Sequence, residues 1–153
     1  MRRGEKEIRD TKDLDEILRS ARVCRIGFAV DNVPYIVPVS FAHTDGSLYI
    51  HSAKEGRKID MLRRNPRVCF EVTSEDAIVS AREACSWGAS YRCVMGTGVA
   101  RILEKLAEKQ QALDLIMLKY SGETGWVYDS SAIDHTCIIR VDIDEMTGKQ
   151  SSR

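Results

Sequence analysis

The sequence has no surplus charge of either sign, no long apolar run and no closely spaced cysteines, and each lack narrows its reading. Its 23 basic and 23 acidic residues cancel, so nothing in the global charge draws it to nucleic acid or an anionic membrane. Its apolar stretches fall well short of the about 20 residues that a membrane span needs. The N-terminus, Met1-Arg2-Arg3-Gly4-Glu5-Lys6-Glu7, has no apolar core of a signal peptide, so no secretion is expected. The five cysteines, Cys24, Cys69, Cys85, Cys93 and Cys137, are odd in number, widely spaced and never C-x-x-C. That argues against a disulfide framework or a zinc site and for a reducing cytoplasm, with most thiols acting as small core hydrophobes. His43, His51 and His135 stand at no ligand spacing with them. No G-x-x-x-x-G-K-[ST] loop occurs, no G-x-G-x-x-G follows a first strand, and no G-x-S-x-G elbow or Ser-His-Asp set is present.

What is present is organised around residues 47–72, SLYIHSAKEGRKIDMLRRNPRVCFEV. Leu48-Tyr49-Ile50 is a β-prone run ending at His51 and Ser52. Ile59, Met61 and Leu62 then begin a helical apolar face, and Asn65-Pro66 stops it, because the residue before a proline is pushed out of the α region. Val68, Phe70 and Val72 alternate with Arg67, Cys69 and Glu71, which is strand periodicity. Lys54, Arg57, Lys58, Arg63, Arg64 and Arg67 against Glu55 and Asp60 make residues 54–67 a local +4 in a neutral chain. Free amides and the positive dipole end of a helix make such a strand-to-helix turn suited to a phosphate. A solvated basic face is the alternative.

The rest of the 153 residues fits one domain, with residues 1–10 and 148–153 expected to be mobile. Thr11 or Asp13 can cap a first helix whose apolar face is Leu14, Ile17, Leu18 and Ala21. Val23–Val30 and Pro34–Ala42 are expected strands joined by an Asp31-Asn32 turn. Pro38 marks an edge or bulge, since it donates no ladder hydrogen bond. Thr44-Asp45-Gly46 is a hairpin turn, and Thr73-Ser74-Glu75-Asp76 another turn. Residues 77–89 fit a strand and loop or a short helix. Ser90–Leu103 is a long strand. Leu103, Leu106, Leu113, Ile116, Met117 and Tyr120 share a helical face over 103–120, ended by Ser121-Gly122. Gly125–Asp134 is expected to be a loop carrying Trp126 and Tyr128. Cys137, Ile139, Val141 and Ile143 form a last alternating strand. About six strands with hairpin-length connections favour an antiparallel barrel with helices at its ends over a parallel sheet.

The order I-H-S-A-K-E-G-R-K, short helix, N-P-R-V and apolar strand resembles the FMN-phosphate segment of the pyridoxamine 5'-phosphate oxidase-like flavoproteins. The likeness is nearest to their nitroimidazole-resistance (Nim-type) branch. Val37-Pro38-Val39-Ser40-Phe41, Tyr91-Arg92-Cys93-Val94-Met95-Gly96-Thr97-Gly98 and Met146-Thr147-Gly148-Lys149 extend the resemblance, in order, over residues 10–149. It implies a mainly β, six-stranded antiparallel split β-barrel with flanking helices, binding FMN. It also implies a homodimer with cofactor sites at the interface, NAD(P)H as donor and a small acceptor such as a nitroaromatic. Arg57 and Lys58 would neutralise the phosphate, with Ser52, Ala53 and Gly56 beside them. Val37, Pro38, Val39 and Ser40 would border the ring, Cys93 would contact it, and His51 would deliver a proton to substrate. Where the vitamin B6 oxidase carries Arg-x-Val-Leu-Leu-Lys, this chain has Tyr35-Ile36-Val37-Pro38-Val39-Ser40, so that reaction is not expected. The alternatives are a non-catalytic flavin- or haem-binding module, a deazaflavin relative, and, last, a nucleic-acid or partner-binding domain, which would lack aromatics among residues 54–67.

Overall fold

The computed structural model describes residues 4–152. Eight antiparallel strands form one sheet: β1 (Glu7–Ile8), β2 (Cys24–Val30), β3 (Val33–Val39), β4 (Ala42–Thr44), β5 (Ser47–Ala53), β6 (Arg67–Val79), β7 (Gly88–Ile102) and β8 (Thr136–Ser152). The order is β3-β2-β6-β7-β8-β5-β4, with β1 added to β8. Four helices complete it: α1 (Thr11–Ser20), α2 (Arg57–Arg64), α3 (Leu106–Ser121) and α4 (Ser130–His135). This is the split-barrel architecture, with an unclosed sheet. The count rises from six strands to eight through the short β1 and β4. No helix among the described residues is long and apolar enough to cross a membrane.

The strands follow period-2 burial. Cys24, Ile26 and Phe28 of β2, Leu48 and Ile50 of β5, Val68, Phe70 and Val72 of β6 and Ile139 and Val141 of β8 fill one core. Both short hairpins turn at residues with positive φ, Asp31-Asn32 (52° and 62°) and Asp45-Gly46 (49° and 69°), the pattern whose twist suits two-residue hairpin loops. Helix α1 packs Leu14, Ile17 and Leu18 inward. Its cap is Asp10, whose carboxylate accepts from the Lys12 amide at 2.9 Å, in place of Thr11 or Asp13.

Several expectations are corrected. Thr73–Asp76 is no turn: β6 runs on to Val79 and pairs with β7, with a bulge between Thr73 and Glu75. Polar residues serve a solvent-facing ladder as well as a turn, and Arg92 across the ladder lies 3.8 Å from Glu75. After β6 a 3-10 turn at Ala84–Ser86 leads into β7. Helix α3 starts at Leu106, since Leu103 is bonded to Ile138 beside β8. Its buried stripe is Lys109, Ala112 and Ile116, while Leu106 is 51% exposed. Short Ala112 lets the helix approach Leu103 and Ile138, and Lys109 buries its stem while its ammonium donates to the Ile133 carbonyl at 2.9 Å. The expected loop at Gly125–Asp134 ends in α4, capped by Asp129. The tails taken as mobile join the sheet where described, Glu7 opposite Lys149 and Ile8 opposite Gly148; residues 1–3 and 153 lie outside the described residues. Gly148 is required there, because a Cβ would stand 2.4 Å from Leu14 and 2.7 Å from Ile8.

Phe41 pins the point where the two sheet edges meet. Its side chain is fully buried, its amide donates to the Tyr120 hydroxyl at 2.9 Å, and the Lys119 ammonium lies 3.4 Å from its ring centre. Phe41→Ala is expected to cost about 3–5 kcal/mol. In urea titration this appears as a lower midpoint at unchanged slope; a loss below about 1 kcal/mol would mean that this corner tolerates a cavity.

Candidate functional site

β3 and β4 are the two ends of the sheet path, yet only Ser40 and Phe41 separate them in sequence. Three residue steps span at most about 11 Å, so the sheet must curl until its ends nearly touch. There the barrel splits. Among the described residues β3 pairs only with β2, and β4 covers β5 only over Ser47–Tyr49. The outer edge of β3 and the Ile50–Ala53 stretch of β5 therefore keep free ladder groups on either side of the opening.

Helix α2 closes one end of this split. It starts at Gly56, whose φ of 115° suits only glycine and turns the chain from β5 into the helix. Gly56 supplies no side-chain cap. Its carbonyl accepts from the amides of Ile59 and Asp60 at 2.8 and 3.1 Å, leaving those of Arg57 and Lys58 without a partner among the described residues. Ile59, Met61 and Leu62 anchor the helix in the core.

The basic segment then divides. Arg63 lies 4.0 Å from Asp60, Arg64 pairs with Asp31, and Arg67 lies 2.8 Å from Asp144. Lys54, Arg57 and Lys58 have no carboxylate partner among the described residues. The Arg57 guanidinium lies over the Tyr35 ring of β3, 4.6 Å from its centre, and so bridges the split. Lys58 is half-buried near the Cys137 thiol, and loss of hydration lowers its ammonium below the usual lysine range. Burial in turn raises Cys137, with Lys109 and Lys58 opposing it. An unneutralised, partly dehydrated cation beside an arginine and two open amides is an anion site in chemical terms.

The expected site residues separate into four places. Ser52, Ala53, Gly56, Arg57 and Lys58 gather at the β5–α2 turn, with Ser52 paired to Cys137. Val37, Pro38 and Val39 run along the free edge of β3, with Ser40 just past its end; Pro38 pairs with Arg25 and is exposed. His51 pairs with Ile138, on the opposite face from Ser52, and is exposed. Cys93 is not brought to this group within the chain. It lies between Thr73 and Lys149, one residue along β7 from the Val39–Cys24–Val72–Val94 row, so three strand spacings, about 14 Å, separate it from the Val37–Ser40 segment. Burial and the Glu71 carboxylate raise its thiol, which suits a neutral contact. Cys69 and Cys85 are exposed, so only Cys24 and Cys137 are buried core thiols. Trp126 lies exposed on the α3–α4 loop, bonded to the Glu123 carbonyl at 3.3 Å. Tyr35 was missed as a site residue. Its one sequence signal is an aromatic two residues before Val37 on an edge strand.

A family model described as pyridoxamine 5'-phosphate oxidase matches residues 10–150. The chain belongs to the pyridoxamine 5'-phosphate oxidase family. Among solved structures it is similar to a candidate 5-nitroimidazole antibiotic resistance protein from Bacteroides thetaiotaomicron. That likeness has 32% identity, 94% of this chain and 86% of that one covered, and a TM-score of 0.84. An FAD-binding protein from Mesorhizobium loti matches at 26% identity over 94% and 96% of the two chains, with a TM-score of 0.69. A flavocytochrome from Azotobacter vinelandii shares the fold at 22% identity over 97% and 71%, with a TM-score of 0.83. A 56-residue stretch is 36% identical to an uncharacterized protein of Rhizobium meliloti, covering 37% of this chain and only 36% of that protein. One fold hosts many functions, so membership alone names no substrate.

Proposed function

We propose that this family member is an FMN-dependent reductase that transfers electrons from NAD(P)H to a small oxidised acceptor, nitroaromatics among them. The observation that carries the reading is the division of the basic segment. Three of its cations are matched by carboxylates, while Lys54, Arg57 and Lys58 have none among the described residues, and Arg57 and Lys58 stand in the first turn of α2 beside its open amides. Two positive charges suit the near-dianionic phosphate of FMN. Flavin, when bound, supplies the hydride and electron transfer, and the protein binds, orients and tunes it. The free edge of β3 from Val37 to Val39 and Ser40 just past it offer backbone groups to the ring edge, and Ser52 offers a hydroxyl to the phosphate or ribityl chain. The resemblance to the nitroimidazole-resistance protein supports the choice of acceptor.

The test is the visible spectrum of the purified protein, followed by release and identification of its chromophore and turnover with NAD(P)H and a nitroaromatic. Bound FMN with acceptor reduction is expected. A haem spectrum overturns the reading, FAD overturns the choice of flavin, and flavin that never turns over favours a binding module.

The protein is further proposed to act as a homodimer with cofactor sites at its interface. Ile36, Gly27, Cys69 and Thr97 form one cross-strand row over β3, β2, β6 and β7. Ile36 is 64% exposed and Met95 in the adjoining row 37%. Such an exposed strip, apolar beside the Arg25–Glu71 ion pair, is surface that a second copy would cover. Sedimentation is expected to give a dimer at micromolar concentration; a flavin-loaded monomer would exclude the shared site.

A further inference from the structure

Arg57 is held by an aromatic face, whereas Arg63, Arg64 and Arg67 of the same segment are held by carboxylates. We infer that Tyr35 is a positioning residue that presents the Arg57 guanidinium to a phosphate monoester without neutralising it. The inference rests on the flavin-phosphate reading of the same site.

Both partners are fixed by the fold. Tyr35 pairs with Phe28 across β2 and β3, and the two rings lie 6.2 Å apart at 30°. Phe28 is a buried core residue, 3% exposed, so the half-buried Tyr35 ring rests on a packed support. Arg57 is the first residue of α2, directly after the positive-φ Gly56. Its guanidinium carbon, 4.6 Å from the ring centre, is within cation–π range. The ring carries no charge to cancel that of the guanidinium, and no hydrogen bond takes up the Arg57 N–H donors among the described residues. A carboxylate partner acts oppositely, as at Arg64 with Asp31 or Arg67 with Asp144: it occupies the fork and cancels the charge. Tyr35 thus restricts a flexible side chain in advance of binding and leaves both its charge and its donors for the ligand. Nothing in this role needs the phenol oxygen.

The experiment compares dissociation constants for FMN and for riboflavin, the same ring system without phosphate, by flavin fluorescence at low ionic strength. The proteins are wild type, Tyr35→Leu, Tyr35→Phe, Arg57→Ala and the Tyr35→Leu/Arg57→Ala double variant. Tyr35→Leu is expected to weaken FMN roughly 2- to 30-fold, the span of a cation–π contact from exposed to dehydrated, and to leave riboflavin binding unchanged. Tyr35→Phe is expected to bind FMN as wild type does. In the Arg57→Ala background, Tyr35→Leu is expected to add nothing, because the two act through one contact. The inference is overturned if Tyr35→Leu binds FMN normally, or if FMN and riboflavin weaken alike, which is a packing effect. It also falls if Tyr35→Phe is as weak as Tyr35→Leu, or if the Tyr35→Leu penalty persists without Arg57. Wild-type protein that binds FMN no better than riboflavin refutes the phosphate reading itself, and that outcome is seen before any variant is made.

Discussion

Replacing Arg57 and Lys58 together by alanine is expected to release FMN from a protein that still folds. Hydrogen bonds to charged groups contribute about 1.5–3 kcal/mol each, so losing two should weaken binding by a factor of hundreds or more. The fold should survive, because Arg57 is exposed and Lys58 half-buried, while the core contacts of α2 come from Ile59, Met61 and Leu62. Alanine also suits the first turn of a helix. The matched control is Arg63→Ala with Arg64→Ala. Those residues carry the same charge on the same helix but are paired with Asp60 and Asp31, and exposed ion pairs contribute only about 0–1 kcal/mol. Equal FMN affinity in the two double variants, measured by fluorescence titration, would move the phosphate site elsewhere. Added salt should erode the wild-type advantage and leave the Arg57/Lys58 variant nearly unaffected, since it screens the interaction that this variant has lost.

His51→Ala is expected to keep FMN and lose acceptor reduction by a factor of about 10²–10⁴, the usual contribution of a general acid. The register supports a role away from the phosphate: His51 is on the opposite face of β5 from Ser52 and is exposed. Single-turnover reoxidation of pre-reduced protein by a nitroaromatic isolates this half of the reaction from the donor. Unchanged reoxidation would make His51 a surface residue of the strand. Loss of flavin would make it a cofactor ligand.

Much of the fold was legible because its signals are local. Val68, Phe70 and Val72 alternate and are buried; Leu14, Ile17 and Leu18 share a helical face and are buried; Asn65-Pro66 ends α2 where the backbone rule requires. The misreadings fall where one local pattern serves two structures. Thr73-Ser74-Glu75-Asp76 has turn composition, yet a partner strand converts it into exposed ladder with one bulge. Leu106 has the period of a buried helical face but is half exposed, since α3 turns its Ala112 side to the sheet. That choice depends on the neighbour's shape and leaves no trace in the helix's own periodicity.

The sequence alone determined that α2 would follow β5 through a glycine, and that the segment would be basic, because turn chemistry and charge reside in adjacent residues. Tertiary structure decided which of those charges remain available. Asp31 and Asp144 lie far along the chain from the Arg64 and Arg67 they neutralise, and Tyr35 lies outside the segment that carries the Arg57 it supports. It also separated Cys93 from the β5–α2 turn by several residues of β7. Charge pairing and cation–π contact act over a few ångströms in space, whatever the distance in sequence, so only the curl of the sheet that brings β3 beside α2 could settle them.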